Sequence, residues 1–364
     1  ENPTSCCGPR CGMKLLFVAP GGSGGIRSQT NLLSETLIDL GSISKVFTTT
    51  SSQGLATLTS VFKIPFFIWT ILYFKPDLVI FELASRGSTY RKIIFSWVLR
   101  LCRKKYIIHL HGGGYERFFG KSNKYLRKLT VSLFRNSRGV VVLAESQKEL
   151  ISHIAGDRLP CVAIPNGVKF VTKMNRLSKS ENGPIELVFV GDVSQSKGIP
   201  ELVSALRSFS TTELVLRVIG PMKLSPNEKF DFVDLVKIGQ VAYLGKKERS
   251  EVIREISLAD VLVLPSKVEN MPLVILEAYS VGIPVLATNV GAINEMIVEN
   301  ETGWIIDKNP EKLVENLIDG LSLLIQSRAQ LPDMSLASFD LGKRNYEITQ
   351  TCRLFLSFCE SVSG

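Results

Sequence analysis

The chain has 364 residues, which is enough for two domains that each bury a core of their own. Hydrophobic residues at 45% and charged residues at 21% are typical of an ordinary folded protein. No stretch of this sequence reaches the roughly 18 uncharged apolar residues of a membrane-spanning helix, which excludes a transmembrane segment within it.

The net charge of +9 is divided unevenly along the chain. Residues 13–182 contain 25 Lys and Arg against 9 Asp and Glu, whereas residues 183–364 contain 17 against 24. A basic half and an acidic half predict two domains that face different partners. Acidic lipid and a phosphorylated acceptor suit the basic half. The sequence contains no zinc-finger spacing and no RNP-like aromatic motif, so we expect no nucleic acid partner.

Three of the seven cysteines lie within residues 1–12, before the sequence MKLLFVAP that begins at Met13. Because MKLLFVAP is typical of a natural start, we expect residues 1–12 to be a non-native or disordered extension. The other four cysteines are scattered in apolar segments, which predicts reduced thiols in a cytoplasmic protein.

Short apolar strands alternate with segments of helical length. The first half contains six, KLLFVAP, SKVFTTT, DLVIFEL, KYIIHLH, GVVVLA and CVAIP, and the second half six more, IELVFVG, ELVLRVIG, QVAYLG, DVLVLPS, PVLAT and GWIID. This alternation predicts the α/β class, with parallel sheets covered on both faces. We therefore expect two Rossmann-like, doubly wound domains, residues 13–178 and 183–340, with the boundary in a polar linker. After the last strand the pattern predicts a helix over 310–326, a polar, proline-containing stretch to about 340, and a terminal helix over 343–364.

The segment VFKIPFFIWTILYF, residues 61–74, is the most membrane-like stretch of the chain, but it is short and contains Lys63 and Pro65. Two interpretations remain open. It is either a buried core helix or an amphipathic helix that lies on a membrane surface, which its aromatic residues and Lys75 would suit.

Glycines follow the first strand in GGSGG, residues 21–25, directly before a predicted helix. Such glycines let the backbone approach a ligand, and the amino end of the helix favours an anion. A dinucleotide-binding oxidoreductase would instead have the G-x-G-x-x-G spacing and an acidic residue at the end of the second strand. Neither is present, so the sequence disfavours a nicotinamide cofactor.

Two of the three histidines lie in HLHGGG, at the end of the fourth strand. His109 alternates inward and is predicted to be structural, whereas His111, at the carboxyl end of the strand, is placed to contact a substrate. The alternative for His111 is a hydrogen bond that braces the loop. Two histidines two positions apart could bind a metal, but no third ligand is evident nearby, so we expect no metal.

The second half has two further candidate segments. In GDVSQSKG, Gly191 ends a strand, and Lys197 precedes a helix, where it could reach phosphate oxygens. In PSKVENMPLVILE, Glu269 lies in a loop after a strand, and Glu277 lies about two turns along the helix that follows. A glycosidase would hold two carboxylates across one scissile bond, and this loop-and-helix placement disfavours that interpretation.

Taken in order, these segments resemble the family 4 glycosyltransferases of GT-B architecture, the retaining enzymes that use nucleotide sugars. The resemblance covers nearly all residues from Met13 to the end. It rests on GGSGG, the HG at 111–112, IPNGV, GDVSQSKG and above all ENMPLVILE followed by GIPVLAT, GAINEMI and TGWII. It implies two Rossmann-like domains that face each other across a cleft, with the terminal helix packed back on the first.

The resemblance also implies roles for individual residues. Glu269 would bind hydroxyls of the donor sugar, and Glu277 would bind the ribose hydroxyls. Lys197, beside Gly191, would neutralise the diphosphate, and backbone amides would hold its distal phosphate. The segment that supplies these amides comprises Asn270, Met271, Pro272 and Leu273. The catalytic residues would be His111, beside the transferred sugar, and Glu269. The loop at Gly24 and Gly25 would close over phosphate and acceptor.

One position departs from the family pattern. The family commonly has an arginine directly after the glycine that corresponds to Gly191, and this chain has Asp192. A carboxylate there would repel the diphosphate unless another cation replaced the arginine. Arg27 and Lys267 are the candidates that the sequence offers.

The function implied is the transfer of a sugar from a UDP- or GDP-linked donor to a glycan acceptor, probed most simply as nucleotide release. No further cofactor is expected. The basic, aromatic-rich first domain suggests a lipid-linked acceptor and a peripheral contact with anionic membrane, at the inner face of the cytoplasmic membrane, as in bacterial polysaccharide and lipopolysaccharide assembly. The alternatives are a GT-B-like nucleotide-sugar epimerase and a non-catalytic nucleotide-sugar-binding protein.

Overall fold

The computed structural model describes residues 12–22, 24–49, 62–170 and 183–364. The chain divides into two compact units, of which the first contains Glu1–Gly167 with Ile348–Gly364 and the second contains Val168–Glu347. The predicted extension 1–12 lies outside the described residues except for Gly12, and most of the predicted linker does too.

The first unit contains a six-stranded sheet in the order β2-β1-β3-β4-β5-β6, with every neighbouring pair parallel. Its strands are β1 (Lys14–Ala19), β2 (Ile43–Thr48), β3 (Leu78–Leu83), β4 (Tyr106–Leu110), β5 (Val140–Val142) and β6 (Cys161–Ala163). Its helices up to residue 167 are α1 (Gly25–Asp39), α2 (Ile64–Phe74), α3 (Gly87–Leu101), α4 (Tyr115–Lys121), α5 (Lys124–Arg135) and α6 (Lys148–Ala155).

Both faces of this sheet are buried. Along β1, Leu16 and Val18 belong to one hydrophobic cluster, while Leu15 and Phe17 belong to a second. Because successive strand residues point to opposite faces, these two clusters are the cores above and below the sheet. This arrangement explains why the strands are continuously apolar rather than alternating.

The second unit contains another six-stranded parallel sheet, in the order β12-β11-β10-β7-β8-β9. Its strands are β7 (Ile185–Val190), β8 (Leu214–Ile219), β9 (Val241–Gly245), β10 (Val261–Leu264), β11 (Val285–Thr288) and β12 (Gly303–Ile306). Its helices are α7 (Ile199–Leu206), α8 (Pro226–Lys237), α9 (Arg249–Ser257), α10 (Leu273–Tyr279), α11 (Ile293–Met296), α12 (Leu313–Gln326) and α13 (Leu331–Tyr346). The predicted two sets of six parallel strands are confirmed.

The chain ends in α14 (Ile348–Ser363), which belongs to the first unit. Its apolar side, including Cys352 and Cys359, is buried in the same cluster as Leu15 and Phe17. The rings of Phe17 and Phe355 stack with their centroids 6.0 Å apart. The helix thus completes one face of the first sheet.

The region before α14 differs from the sequence-based expectation of a polar stretch and a single helix over 343–364. Residues 331–346 form α13, with Pro332 in its first turn, a position where proline needs no hydrogen-bonded N–H. Glu347 then adopts an extended conformation, with ψ 129°, and separates α13 from α14. The periodicity correctly predicted helical structure near the end of the chain. It did not predict the break at Glu347 or that Pro332 lies within a helix.

Candidate active site

Ligands of doubly wound sheets bind at the carboxyl ends of the strands, where the strand order reverses. In the second unit this switch point lies between β7 and β10. These strands neighbour each other in the sheet, although β8 and β9 lie between them in the sequence. The loop after β7 carries Gly191 and Lys197, and the loop after β10 carries Glu269. The two segments that the sequence singled out therefore emerge side by side.

Glycines hold these loops against one another. Gly198 has φ +70°, and a Cβ there would lie 2.0 Å from the carbonyl oxygen of Pro265. Gly291, after β11, has φ +60°, and a Cβ there would lie 2.5 Å from the carbonyl oxygen of Asn270. Because only glycine tolerates both the backbone conformation and the close approach, the positions of three loops are linked.

Lys197 and Glu269 form a direct ion pair, although 72 positions separate them. The Ser266 hydroxyl donates a further hydrogen bond of 2.7 Å to the same Glu269 oxygen. The Glu269 side chain is 12% exposed and that of Lys197 is 27% exposed, so both can be reached from solvent. The pair places one carboxylate and one ammonium group at the switch point, which suits a ligand with hydroxyls and phosphates.

Glu277 lies on the inner side of α10 and is mostly buried. Burial raises the pKa of its carboxyl above the usual value, and Arg249 opposes this rise. An Arg249 Nη2 lies 3.0 Å from Glu277 Oε1. Sequence analysis did not find Arg249, which is contributed by the preceding helix, α9. The two glutamates thus have different cationic partners, which agrees with separate roles rather than one acid–base pair.

The segment between the two glutamates turns from the strand into α10. Met271 and Pro272 are buried, and Pro272 caps the helix, which begins at Leu273 rather than at the proline. The Asn270 carbonyl accepts a 2.8 Å hydrogen bond from the Ala292 N–H. The backbone of this segment is thereby fixed beside Glu269.

Asp192 forms an ion pair that the sequence did not reveal. Lys223, in the loop after β8, lies with its Nζ 2.5 Å from Asp192 Oδ2. The two candidate replacements for the family arginine have other partners. The Lys267 Nζ lies 2.6 Å from Glu201 Oε1, and the Arg27 guanidinium donates a 2.9 Å hydrogen bond to the Thr48 hydroxyl. Since β7 and β8 are sheet neighbours, a basic residue after β8 was the signal for Lys223.

In the first unit, the switch point lies between β1 and β3. Gly24 caps the amino end of α1 in an extended conformation, and Gly25 is the first residue of this helix. A Cβ at Gly24 would meet no atom within 4 Å, so the backbone there borders open space among the described residues. This is the location that the sequence predicted for an anion-binding loop.

His111 follows β4 and is almost completely buried. Its Nε2 forms a close hydrogen bond with Glu82, whose other oxygen lies 3.3 Å from His109 Nδ1. The sequence alone revealed no third ligand near the two histidines, but the structure places Glu82 beside them. In the parallel pairing of β3 and β4, Glu82 stands directly beside His109. The carboxylate oxygens and ring nitrogens of the three residues lie within 4.8 Å of one another, a grouping that can share protons or hold a metal ion.

The carboxyl group of Glu82 is held in its ionised form. Burial raises the pKa of Glu82, but His109 and His111 outweigh this effect and leave it at about 2. Burial and His109 lower the pKa of His111. On α3, burial together with Arg91 lowers the pKa of the wholly buried Lys92 to about 7, with Glu82 acting in the opposite direction. Glu82 is therefore ionised at neutral pH, with Lys92 as a nearby source of positive charge.

Residues 171–331 match the family model described as glycosyl transferases group 1. The D-inositol 3-phosphate glycosyltransferase of Pseudarthrobacter chlorophenolicus is 33% identical over 172 residues, which are 44% of this chain and 41% of that protein. The UDP-Gal:alpha-D-GlcNAc-diphosphoundecaprenol alpha-1,3-galactosyltransferase of Escherichia coli is 26% identical over 247 residues, 63% of each chain. The chain thus spans less than two thirds of the length of either relative.

The structure of Anabaena Alr3699/HepE in complex with UDP has the same fold. Its TM-score is 0.73 at 16% sequence identity, and the similarity covers 96% of this chain and 100% of that one. The expected GT-B fold is therefore confirmed. The family match covers residues 171–331, which make up most of the second unit.

Proposed function

We propose that this chain is a retaining glycosyltransferase of family 4, which moves a sugar from a nucleotide-diphosphate sugar to a glycan acceptor in cell-surface polysaccharide biosynthesis. The observation that carries the proposal is the ion pair of Lys197 and Glu269. It joins two loops at the switch point of a domain that matches the glycosyl transferases group 1 family.

The proposed roles in the second unit follow from charge and position. Lys197 stabilises the diphosphate, and Glu269, held by Ser266, accepts hydrogen bonds from hydroxyls of the donor sugar. Glu277 accepts hydrogen bonds from the ribose. In the first unit, His111 contacts the transferred sugar, and the backbone at Gly24 binds phosphate and acceptor.

The chemistry requires the enzyme to stabilise a leaving group. The bond between the anomeric carbon and the diphosphate breaks, and the acceptor oxygen bonds to that carbon on the same face. The products are the glycosylated acceptor, the nucleoside diphosphate and a proton. Negative charge collects on the departing diphosphate, where a positioned ammonium group such as that of Lys197 lowers the barrier most effectively.

Donor and acceptor are proposed from the relatives. HepE was crystallised with UDP, and the E. coli relative is named as a galactosyltransferase that uses UDP-Gal and a diphosphoundecaprenol-linked acceptor. We therefore favour a UDP-sugar donor over a GDP-sugar and a lipid-linked acceptor, with no further cofactor.

A lipid-linked acceptor requires access to a membrane. Among the described helices, none combines the length and apolar character that a membrane crossing needs. We place the protein instead on the inner face of the cytoplasmic membrane, bound peripherally through α2. Phe66, Trp69 and Tyr73 on this helix are 69%, 58% and 73% exposed, and Lys63 and Lys75 flank it. Exposed aromatics bordered by lysines suit an anionic membrane interface.

Nucleotide binding measured by isothermal titration calorimetry tests the donor site. We expect the full chain to bind UDP. Glu277→Ala should weaken this affinity about tenfold or more, because it removes a charged hydrogen-bond acceptor. Glu269→Ala should leave the affinity for UDP within about twofold of the wild-type value and lower the rate of sugar transfer. The reason is that the Glu269 side chain is proposed to face the sugar rather than the nucleotide.

Glu299→Ala is the matched control. Glu299 is a further glutamate of the second unit, and its carboxylate accepts a hydrogen bond from the Ile305 N–H. It should bind UDP like the wild type. Failure of the wild type to bind any nucleoside diphosphate would refute the enzyme proposal, and equal affinity of wild type and Glu277→Ala would refute the ribose assignment.

A further inference from the structure

We propose that Glu82 is a positioning residue, which fixes the tautomer and the orientation of the His111 imidazole. This inference rests on the proposed function, because that function assigns His111 to the transferred sugar.

The geometry comes from the pairing of two strands. Glu82 on β3 stands beside His109 on β4, and His111, two residues further along the same face, reaches the same carboxylate. Each oxygen of Glu82 contacts one imidazole ring: Oε1 forms a hydrogen bond with His109 Nδ1, and Oε2 forms one with His111 Nε2. The ring centroids of the histidines are 4.0 Å apart. One carboxylate therefore orients both imidazoles.

The backbone at His111 is fixed independently of its side chain. The His111 N–H donates a 2.8 Å hydrogen bond to the Leu83 carbonyl. At Gly112 a Cβ would lie 3.1 Å from the Ser85 nitrogen, so β4 and the segment after β3 are in close contact. With the main chain held in place, the contact with Glu82 decides the rotation of the ring.

The charge of Glu82 decides the tautomer. A fully buried carboxylate is costly unless cations or hydrogen-bond donors compensate it, so a buried glutamate kept ionised points to a role beyond packing. An ionised carboxylate only accepts hydrogen bonds, which places the His111 proton on Nε2.

Burial of the ring lowers the pKa of His111. His109 on β4 and Lys92 on α3 both lower the pKa of His111 further, and Glu82 raises it. Arg91 in turn lowers the pKa of Lys92. The contact with Glu82 therefore orients a ring whose neutral form is favoured by its surroundings.

The test uses Glu82→Gln in the full chain, which keeps the shape of the side chain and removes its charge. We expect kcat for sugar transfer to fall about tenfold or more, with the KM for donor changed by less than about twofold, as when a buried acid ceases to hold a catalytic histidine in one tautomer. His109→Gln leaves the bond between Glu82 and His111 in place and should lower kcat less than about threefold. Circular dichroism and thermal unfolding establish that each variant folds.

Imidazole 15N NMR provides a readout that does not depend on activity. We expect the Nε2–H tautomer of His111 in the wild type and a mixture of tautomers in Glu82→Gln. An Nδ1–H tautomer in the wild type, or wild-type kcat in a folded Glu82→Gln, would overturn the proposal. So would one equivalent of metal found by elemental analysis in the wild type and lost in Glu82→Gln. If the wild type transfers no sugar from any donor, the proposed function fails, while the NMR result still decides whether Glu82 positions His111.

Discussion

Asp192 stands where the family pattern that the sequence resembles commonly has an arginine, and the structure pairs Asp192 with Lys223. The two side chains are 44% and 56% exposed, so the pair is a surface ion pair rather than a buried one. Such pairs contribute little to stability, typically less than about 1 kcal/mol. Their position at the carboxyl ends of β7 and β8 gives them a different use. The pair neutralises the acid beside the candidate diphosphate site and brings a lysine to it.

We expect Lys223→Met to weaken the affinity for UDP by about two- to fivefold, because it leaves the Asp192 carboxylate unpaired near the diphosphate. The loss should shrink at high salt, since screening reduces the interaction of exposed charges. Titration calorimetry at two salt concentrations measures both effects.

Lys237→Met is the control for this substitution. Lys237 is an exposed lysine of the same unit that also pairs with an aspartate, Asp234, at 3.5 Å, but it lies at the end of α8, away from the carboxyl ends of the strands. The assignment of Lys223 fails if both variants bind UDP with wild-type affinity, or if the two variants weaken it equally.

The sequence analysis did not predict site residues whose partners lie on other strands or helices. Glu269, Glu277, Lys197 and His111 were found because each follows a strand or lies in a family motif. Glu82 and Arg249 carry no such signal, and each becomes visible only when strand register or helix packing brings it to its partner. Lys223 does follow a strand, but its pairing with Asp192 depends on the order of the strands in the sheet. Knowledge of the register of β3 and β4 would have been enough to find Glu82.

At the scale of the secondary-structure elements, α2 combines features that the sequence left as alternatives. Phe67, Thr70 and Ile71 on one side are buried in the first unit. On the other side, Trp69 and Tyr73 stack with ring centroids 5.2 Å apart and remain exposed. The helix is therefore both a core helix and a carrier of exposed apolar surface, because it is apolar on both sides.

We expect the protein to float with liposomes that contain phosphatidylglycerol and to bind neutral liposomes more weakly. The double variant Trp69→Ser, Tyr73→Ser should lose most of this binding, because it removes the aromatic groups that would enter the interface. Flotation through a density gradient measures the bound fraction.

Phe230→Ser is the matched control, since Phe230 is an aromatic residue of the second unit that is 69% exposed. It should float like the wild type. Binding that is indifferent to lipid charge, or unaffected by the double variant, would contradict the membrane role of α2.

The strands were predictable because each is a short apolar run bounded by glycine, proline or polar residues, and a parallel sheet needs no side-chain alternation. The region after β12 was predicted less well. Pro332 and polar residues indicated a loop, but proline is compatible with the first turn of α13, and the packing of this helix decided the outcome.

For the whole molecule, the uneven charge of the chain now has a structural counterpart. The basic half forms most of the first unit, which carries α2 and the His111 cluster, and the acidic half forms most of the second unit, which carries the loops of the candidate donor site. A basic unit that binds an anionic membrane and a lipid-linked acceptor, and a second unit that binds the donor, would divide the two substrates of a transferase between the two domains.

The most direct test of this account is the reaction of the purified full chain with a UDP-sugar and a diphospholipid-linked glycan acceptor. Release of UDP is measured together with the anomeric configuration of the product by NMR. We predict that UDP and glycosylated acceptor form in equal amounts and that the new bond keeps the configuration of the donor. A product of inverted configuration, or no transfer from any UDP- or GDP-sugar tested, would contradict the account.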